Sequence, residues 1–330
     1  MKKTFVAVMV LTGTFIGAGF ASGQEIMQYF GIFGNLAICG IVISCILMGI
    51  FVYCVADNIM WMGEREYVKT LCNHKWIKTV LNCYMLIMLS AMITAFGESL
   101  EQLWSIPKIY GVLAIDIATC MVLYFGAEGV IRLNSIVTPL IMAGIVFSLF
   151  VCRYNEVMSY NNFVSSAVAY TSYNVISMPF VMAGLGNAFK RKRDNAFCSV
   201  IFGSVIFALA FCMLMILKCA DTGVSIPLLS AVDEKYSVAI IFILALSMIT
   251  TAVSNGYGFV QNIRINKNLV ILFLGLFGAA FSMLDFCYIV GNMYRMFGFV
   301  GIYIIIKNFY IFAKNREKPR KIEKTFNNRF

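Results

Sequence analysis

"GTFIGAGFASGQE", residues 13–25, interrupts an otherwise apolar run near the start of the chain. A lipid-crossing helix wants unbroken apolar side chains. This stretch instead holds glycines at 13, 17, 19 and 23 and closes on Gln24 and Glu25. The run it belongs to, 4–34, would extend about 46 Å as one α-helix at ~1.5 Å per residue. That is too long for a straight crossing of about 30 Å of hydrocarbon. Gly17, Gly19 and Gly23 supply the backbone freedom for a break. Unwound backbone at membrane depth persists only where protein buries it or a polar cavity receives it. The same glycines form two small-xxx-small patterns, Gly13/Gly17 and Gly19/Gly23, which suit close helix packing. Taken alone, the stretch leaves both readings open.

The rest of the chain sets the context. Of 330 residues, 61% are hydrophobic and 13% charged, with mean hydropathy +0.84. Soluble domains carry about 25% charged residues, so a polytopic all-α membrane protein is expected. The short alternating segments of a β-barrel are absent. Ten transmembrane spans are predicted at 4–34, 36–57, 78–102, 108–126, 132–152, 167–188, 195–217, 237–260, 269–284 and 287–312. Short polar connections separate them at 31–35, 190–194 and 264–268, and 221–235 reads as an ordered external loop containing Pro227.

Charge tests that count. With the N-terminus in the cytoplasm, 21 of the 26 Lys and Arg residues fall inside, including the run Lys190 to Arg193 and the tail. Lys108, Arg153, Lys218 and Lys235 fall outside, and Arg295 lies within the last span. This is the positive-inside pattern, and it predicts that both termini are cytoplasmic. The net charge of +10 therefore orients helices and gives no reason to expect nucleic acid. Lys2 and Lys3 followed by an apolar run and "GFASG" also imitate a cleavable secretory signal, which would leave nine spans. The eleven cysteines lie mostly in apolar segments without a CxxC pair, so no disulfide framework or zinc site is expected. His74, the lone histidine, sits in a charged loop. With no P-loop, HExxH or nucleophile elbow, an enzyme and any organic cofactor are not expected.

"YTSYNVISMPFVMAGLG", residues 170–186, repeats the anomaly in span 6. Pro179 lacks an amide donor and disfavours the preceding turn, and Thr171, Ser172, Tyr173 and Asn174 form a polar cluster. The breaks in spans 1 and 6 lie five spans apart, so the second set of five enters from the opposite side. Interrupted helices at matching places in two inverted halves point to a transporter binding site. The halves are expected at 1–153 and 154–312, with a basic cytoplasmic tail at 313–330.

On these motifs the chain resembles the amino acid–polyamine–organocation (APC) superfamily, whose LeuT fold is a five-plus-five inverted repeat with helices 1 and 6 interrupted. "FIGAGFASGQE" in particular resembles the first helix of YkvI-like bacterial membrane proteins. The resemblance implies that Ile16-Gly17-Ala18-Gly19-Phe20 donates backbone amides to a substrate carboxylate. The start of the half-helix after the break suits an anion on physical grounds as well. Carbonyls around Phe15 and Ile16, and near Tyr170, Thr171 and Ser172, would hold an ammonium, with Tyr173 and Asn174 shaping the pocket. A zwitterion such as an amino acid satisfies both ends, so the expected substrate is an amino acid or a similar small zwitterion or organic cation.

"LSMITTAVSNGYG", residues 246–258 in span 8, supplies the ion expectation. By resemblance to sodium-coupled members, Na⁺ would meet the hydroxyls of Thr250 and Thr251 and the carbonyls of Ser247, Gly13 and Ile16. The same hydroxyls could instead satisfy carbonyls of their own helix. Span 5 lacks the lysine that some proton-coupled relatives carry there. Intramembrane carboxylates are functional candidates by default, which singles out Glu25 and Asp116 for coupling or gating. Glu98 and Glu101 are expected to be solvated, and Arg295 to pair with Asp285 or Glu25 or to snorkel. The function expected is secondary active transport, with proton coupling, a ligand-sensing subunit like the germinant receptors, and a channel-like subunit as alternatives. The sequence does not disclose an oligomeric state.

Overall fold

A computed structural model describes residues 2–31, 36–73, 75–152, 163–218, 220, 226–263, 265–282, 286–289 and 294–316. Among these the chain is almost entirely helical, with no strand. The first predicted span is three pieces, α1 (Lys2–Phe15), α2 (Ala18–Ala21) and α3 (Gln24–Tyr29). Then follow α4 (Ala37–Met62), α5 (Glu64–Leu71), α6 (Lys75–Trp104), α7 (Lys108–Tyr124) and α8 (Gly126–Val151). The sixth predicted span is two pieces, α9 (Phe163–Asn174) and α10 (Met178–Gly184). The chain continues with α11 (Lys192–Leu217), α12 (Pro227–Ala231), α13 (Ser237–Asn262), α14 (Lys267–Phe281), α15 (Phe286–Tyr288) and α16 (Tyr294–Arg316).

Six of these helices, α4, α6, α8, α11, α13 and α16, are long and apolar enough to cross a membrane. The apolar helices α1 and α14 are shorter. The protein is a multi-pass helical membrane protein, and its surface agrees. Ile136, Leu140 and Phe150 on α8 and Leu269, Leu272 and Leu276 on α14 are exposed, as lipid contact allows because hydrocarbon is as apolar as they are.

The helices pair in a regular way. α4 packs on α11, α6 on α13 and α7 on α14, while α1 lies on α8 as α9 lies on α16. At the centre, α1 is wedged between α8, α11 and α13, with Ala7, Val8, Val10 and Leu11 fully buried.

One element was not expected. Residues 64–71, between the second and third predicted spans, form α5, with Glu64 and Glu66 in its first turn and Lys69 in its last. That charge order complements the helix dipole. Tyr67 and Leu71, four apart, turn inward and are fully buried. The Tyr67 hydroxyl donates to Asn308 Oδ1 at 2.6 Å, and the Asn58 amide donates to the Asn308 carbonyl at 3.1 Å. These bonds tie α5 and α4 to α16. The boundary expected at 153/154 and the tail from 317 onward lie outside the described residues, as do His74, Arg153, Arg264, Asp285 and the side chain of Arg295.

Candidate functional site

The break in the first span sits where the glycines placed it. α1 ends at Phe15, and the Gly17 amide turns back to the Phe15 carbonyl at 2.9 Å. α2 is a single turn, closed by a second break at Ser22 and Gly23, where Gly23 adopts φ +81°. The left-handed region costs a side-chain-bearing residue about 1–2 kcal/mol, so glycine is the fitting residue. The Ala18 amide, expected to meet a carboxylate, donates to Met92 Sδ at 3.1 Å. A thioether is a weak acceptor, so that partner is readily displaced.

Across the break stands α13. The Thr251 hydroxyl lies 3.1 Å from the Ile16 carbonyl and 3.3 Å from the Gly13 carbonyl. The Thr250 hydroxyl rests on the Ser247 carbonyl at 2.9 Å. Thr14 adds a second tie to α13, bonding Ser254 Oγ at 3.0 Å. Ser247, Thr250 and Ile16 are fully buried and Thr251 nearly so. Two residues of α8 that sequence reasoning passed over complete this neighbourhood. Asn134 Oδ1 and Thr138 Oγ1 fill the space where Gly13 lacks a Cβ. Both are fully buried, and neither atom has a hydrogen-bond partner. A polar pair at i, i+4 in an apolar helix was the available signal.

The second discontinuity differs from expectation. It falls at residues 175–177, and Pro179 stands at the start of α10 rather than inside a distorted helix. A proline in the first turn loses nothing, because that amide has no intrahelical partner anyway. Thr171, Ser172 and Asn174 belong to the last turns of α9 and bond their own helix, at the carbonyls of Ala167 (2.9 Å), Val168 (2.7 Å) and Tyr170 (3.0 Å). The carbonyls proposed for an ammonium are likewise engaged. Phe15 accepts from Gly17, Ile16 from Thr251, Tyr170 from Asn174 and Thr171 from the Val175 amide, and the Ser172 carbonyl presses on Gly301 of α16. Tyr84 of α6 reaches across to donate to the Tyr173 carbonyl at 3.1 Å.

Between the two breaks lies an aromatic cluster. Tyr29 stacks on Tyr173 with ring centroids 5.5 Å apart, and Tyr170 packs against Phe15, Tyr29, Phe30 and Tyr173 at 5.0–6.1 Å. Glu25 of α3 is 3% exposed. The side chains of Tyr173 and Asn174 lie beside it, and its Oε1 occupies the space left by the missing Cβ of Gly19.

No protein-family model matches the chain. Two Bacillus subtilis proteins resemble it along nearly their whole length. YyaD is 23% identical over 91% of this chain and 94% of its own, and the membrane protein YkvI is 22% identical over 90% and 92%. Among solved structures, a Na⁺-coupled sialic acid symporter superposes with TM-score 0.68 at 11% identity, covering 94% of this chain and 78% of that one. A manganese transporter from Eremococcus coleocola superposes with TM-score 0.58, again at 11% identity, over 94% and 77%. The chain shares their fold.

Within that fold the two ends of the central site are closed unequally. At one end α12 lies over the second break, its Leu228 amide donating to the Ser22 carbonyl at 2.9 Å. At the other end a polar cavity of about 850 Å³ opens beneath α10 and α13, lined among others by Arg65, Cys72, Phe180, Tyr257 and Asn262. The remaining carboxylates lie apart. Asp116 is buried where α7 meets α14, beside Cys120 and within reach of Gly275 and Gly278, so the structure does not bring it to the breaks. Glu98, expected in solvent, is four-fifths buried, ion-paired to Lys108 at 2.8 Å and accepting the Phe286 amide at 3.1 Å. The turn after α6 folds Lys108 back onto it.

Proposed function

We propose that this protein is a secondary active transporter of the APC type, coupling Na⁺ to the movement of an amino acid or similar small zwitterion or organic cation. The observation that carries the reading is the Thr251 hydroxyl facing the Gly13 and Ile16 carbonyls across the break in the first span. Together with Thr250 Oγ1 and the Ser247 carbonyl these are neutral, buried oxygens. Cation–oxygen distances of about 2.4 Å give oxygens spaced about 3.4 Å apart in an octahedral shell, close to the separations found. Na⁺ would therefore enter with small movements and would tie the broken helix to α13.

The helix pairing supports five-plus-five inverted halves and ten spans. Spans two, three and four pair with seven, eight and nine, and one-with-five is mirrored by six-with-ten. The positive-inside charge distribution assigns the α5 end to the cytoplasm. The 850 Å³ cavity is then a cytoplasmic vestibule and α12 an external plug, an inward-facing arrangement. Alternating access would reopen the α12 side and close the vestibule around the midplane site. Neighbours named for sialic acid and for manganese indicate that the scaffold does not fix the cargo; side chains at the site do.

The test is solute accumulation by purified protein in liposomes. Uptake of an amino acid or organic amine that rises with an inward Na⁺ gradient, and not with K⁺, supports the reading. Binding without accumulation under any gradient would instead make the chain a sensor.

A further inference from the structure

We propose that Glu25 is the counter-ion for a cationic nitrogen on the cargo, held against the rings of Tyr29, Tyr170 and Tyr173. The inference rests on the transporter reading above and narrows its substrate to solutes bearing an ammonium group, whether or not they carry a carboxylate.

Each carbonyl expected to receive an ammonium, at Phe15, Ile16, Tyr170, Thr171 and Ser172, accepts a hydrogen bond within the protein or is pressed against a helix. What is left over is a set of acceptors on one side of the aromatic cluster. Glu25 Oε2, Gln28 Oε1 and Tyr170 OH are buried atoms without a hydrogen-bond partner. Glu25, Gln28 and Tyr29 follow at i, i+3 and i+4 on α3, which places them on one helix face. Tyr170 packs on Tyr29 of that face, with ring centroids 5.6 Å apart.

A carboxylate, a carboxamide oxygen and a phenol oxygen match a group with several donors and no acceptor, and an ammonium is that group. Tyrosine rings reinforce the choice, since their faces attract a desolvated cation. Among the described side chains no base answers Glu25, because the three ion pairs all lie elsewhere. A buried carboxylate is costly without a cation, and cargo would supply one. Gly19 is part of the device, because a side chain there would displace the Glu25 carboxyl.

The experiment is a thermal-shift titration of purified protein in Na⁺ with primary amines from methylamine to 2-phenylethylamine, each paired with the carboxylate of the same skeleton. At least one amine is expected to stabilise the wild type, and none of the carboxylates. In Glu25→Gln the apparent amine affinity falls about ten- to hundredfold, the loss expected for a charge-assisted bond. Gly19→Ala, which keeps the charge but moves it, weakens amine binding as well. Both variants are expected to elute as the wild type does in size exclusion and to melt cooperatively without ligand, which shows that they fold and leaves the ion reading to stand or fall separately. Stabilisation by carboxylates alone, no response to any amine, or undiminished amine binding in Glu25→Gln overturns the proposal.

Discussion

Thr251 Oγ1 stands 3.1 Å from the carbonyl oxygen of Ile16, a residue 235 positions earlier in the chain. The contact exists because α1 stops at Phe15 and turns its last carbonyls sideways, where an intact helix would have kept them for its own amides. A cation bound between α1 and α13 would therefore report whether the broken helix is in place. That is what coupling an ion gradient to helix movement requires.

The close approach of α1 to α8 depends on Gly13 having no side chain. In Gly13→Ala the new methyl group meets Asn134 Oδ1 and Thr138 Oγ1. Overpacking of this kind costs about 1–3 kcal/mol. The melting temperature should drop, and combining the change with Asn134→Ala should restore part of it. A Gly13→Ala protein as stable as wild type would show that α1 and α8 do not meet this tightly.

Gly23 separates a backbone effect from a packing effect. Gly23→Ala forces alanine to φ near +81° and brings its methyl 2.6 Å from Leu217 Cδ2. Trimming Leu217 to alanine as well should remove the collision but not the conformational cost of about 1–2 kcal/mol. The double variant, compared with Leu217→Ala alone, should still melt lower. If the two melt together, Gly23 is not left-handed in solution.

Cys72 lines the proposed cytoplasmic vestibule, and burial pushes its thiol up to about 11. Only the thiolate alkylates, so labelling should be slow at neutral pH. It should climb about tenfold per pH unit from about pH 8 to about pH 10, where an ordinary thiol of pKa ~8.5 levels off. Peptide mass spectrometry after iodoacetamide treatment reads the rate. A plateau near pH 9 at Cys72 would place its thiol in open water.

The parts of this architecture legible in the sequence were those written in local chemistry. The break at Ile16 and Gly17 could be read because glycine and small residues crowd where lipid demands bulk, whereas Thr250 and Thr251 were set opposite it only by resemblance to sodium-coupled transporters. Other parts depend on tertiary partners. Pro179 reads as a helix breaker, yet Val175 to Ser177 form the break and the proline starts the next helix. Thr171 and Ser172 look like ligands, but both hydroxyls face carbonyls four residues back, a competition that composition cannot resolve. Met92 on the Ala18 amide carries no sequence signal at all, since nothing local says which of the chain's methionines will meet that turn. The second break at Gly23 was among the glycines noted, but only the described backbone shows that α2 is one turn long.

The central claim is most directly tested by Na⁺-dependent thermal stabilisation of Thr251→Val beside the wild type, with K⁺ as the control salt. Valine keeps the shape and removes the hydroxyl, so the variant should lose about 1–2 kcal/mol in K⁺ and remain folded. The wild type should be stabilised by Na⁺ and not by K⁺, and the variant should show no Na⁺ response. A Thr251→Val protein that Na⁺ stabilises as strongly as the wild type would contradict the account.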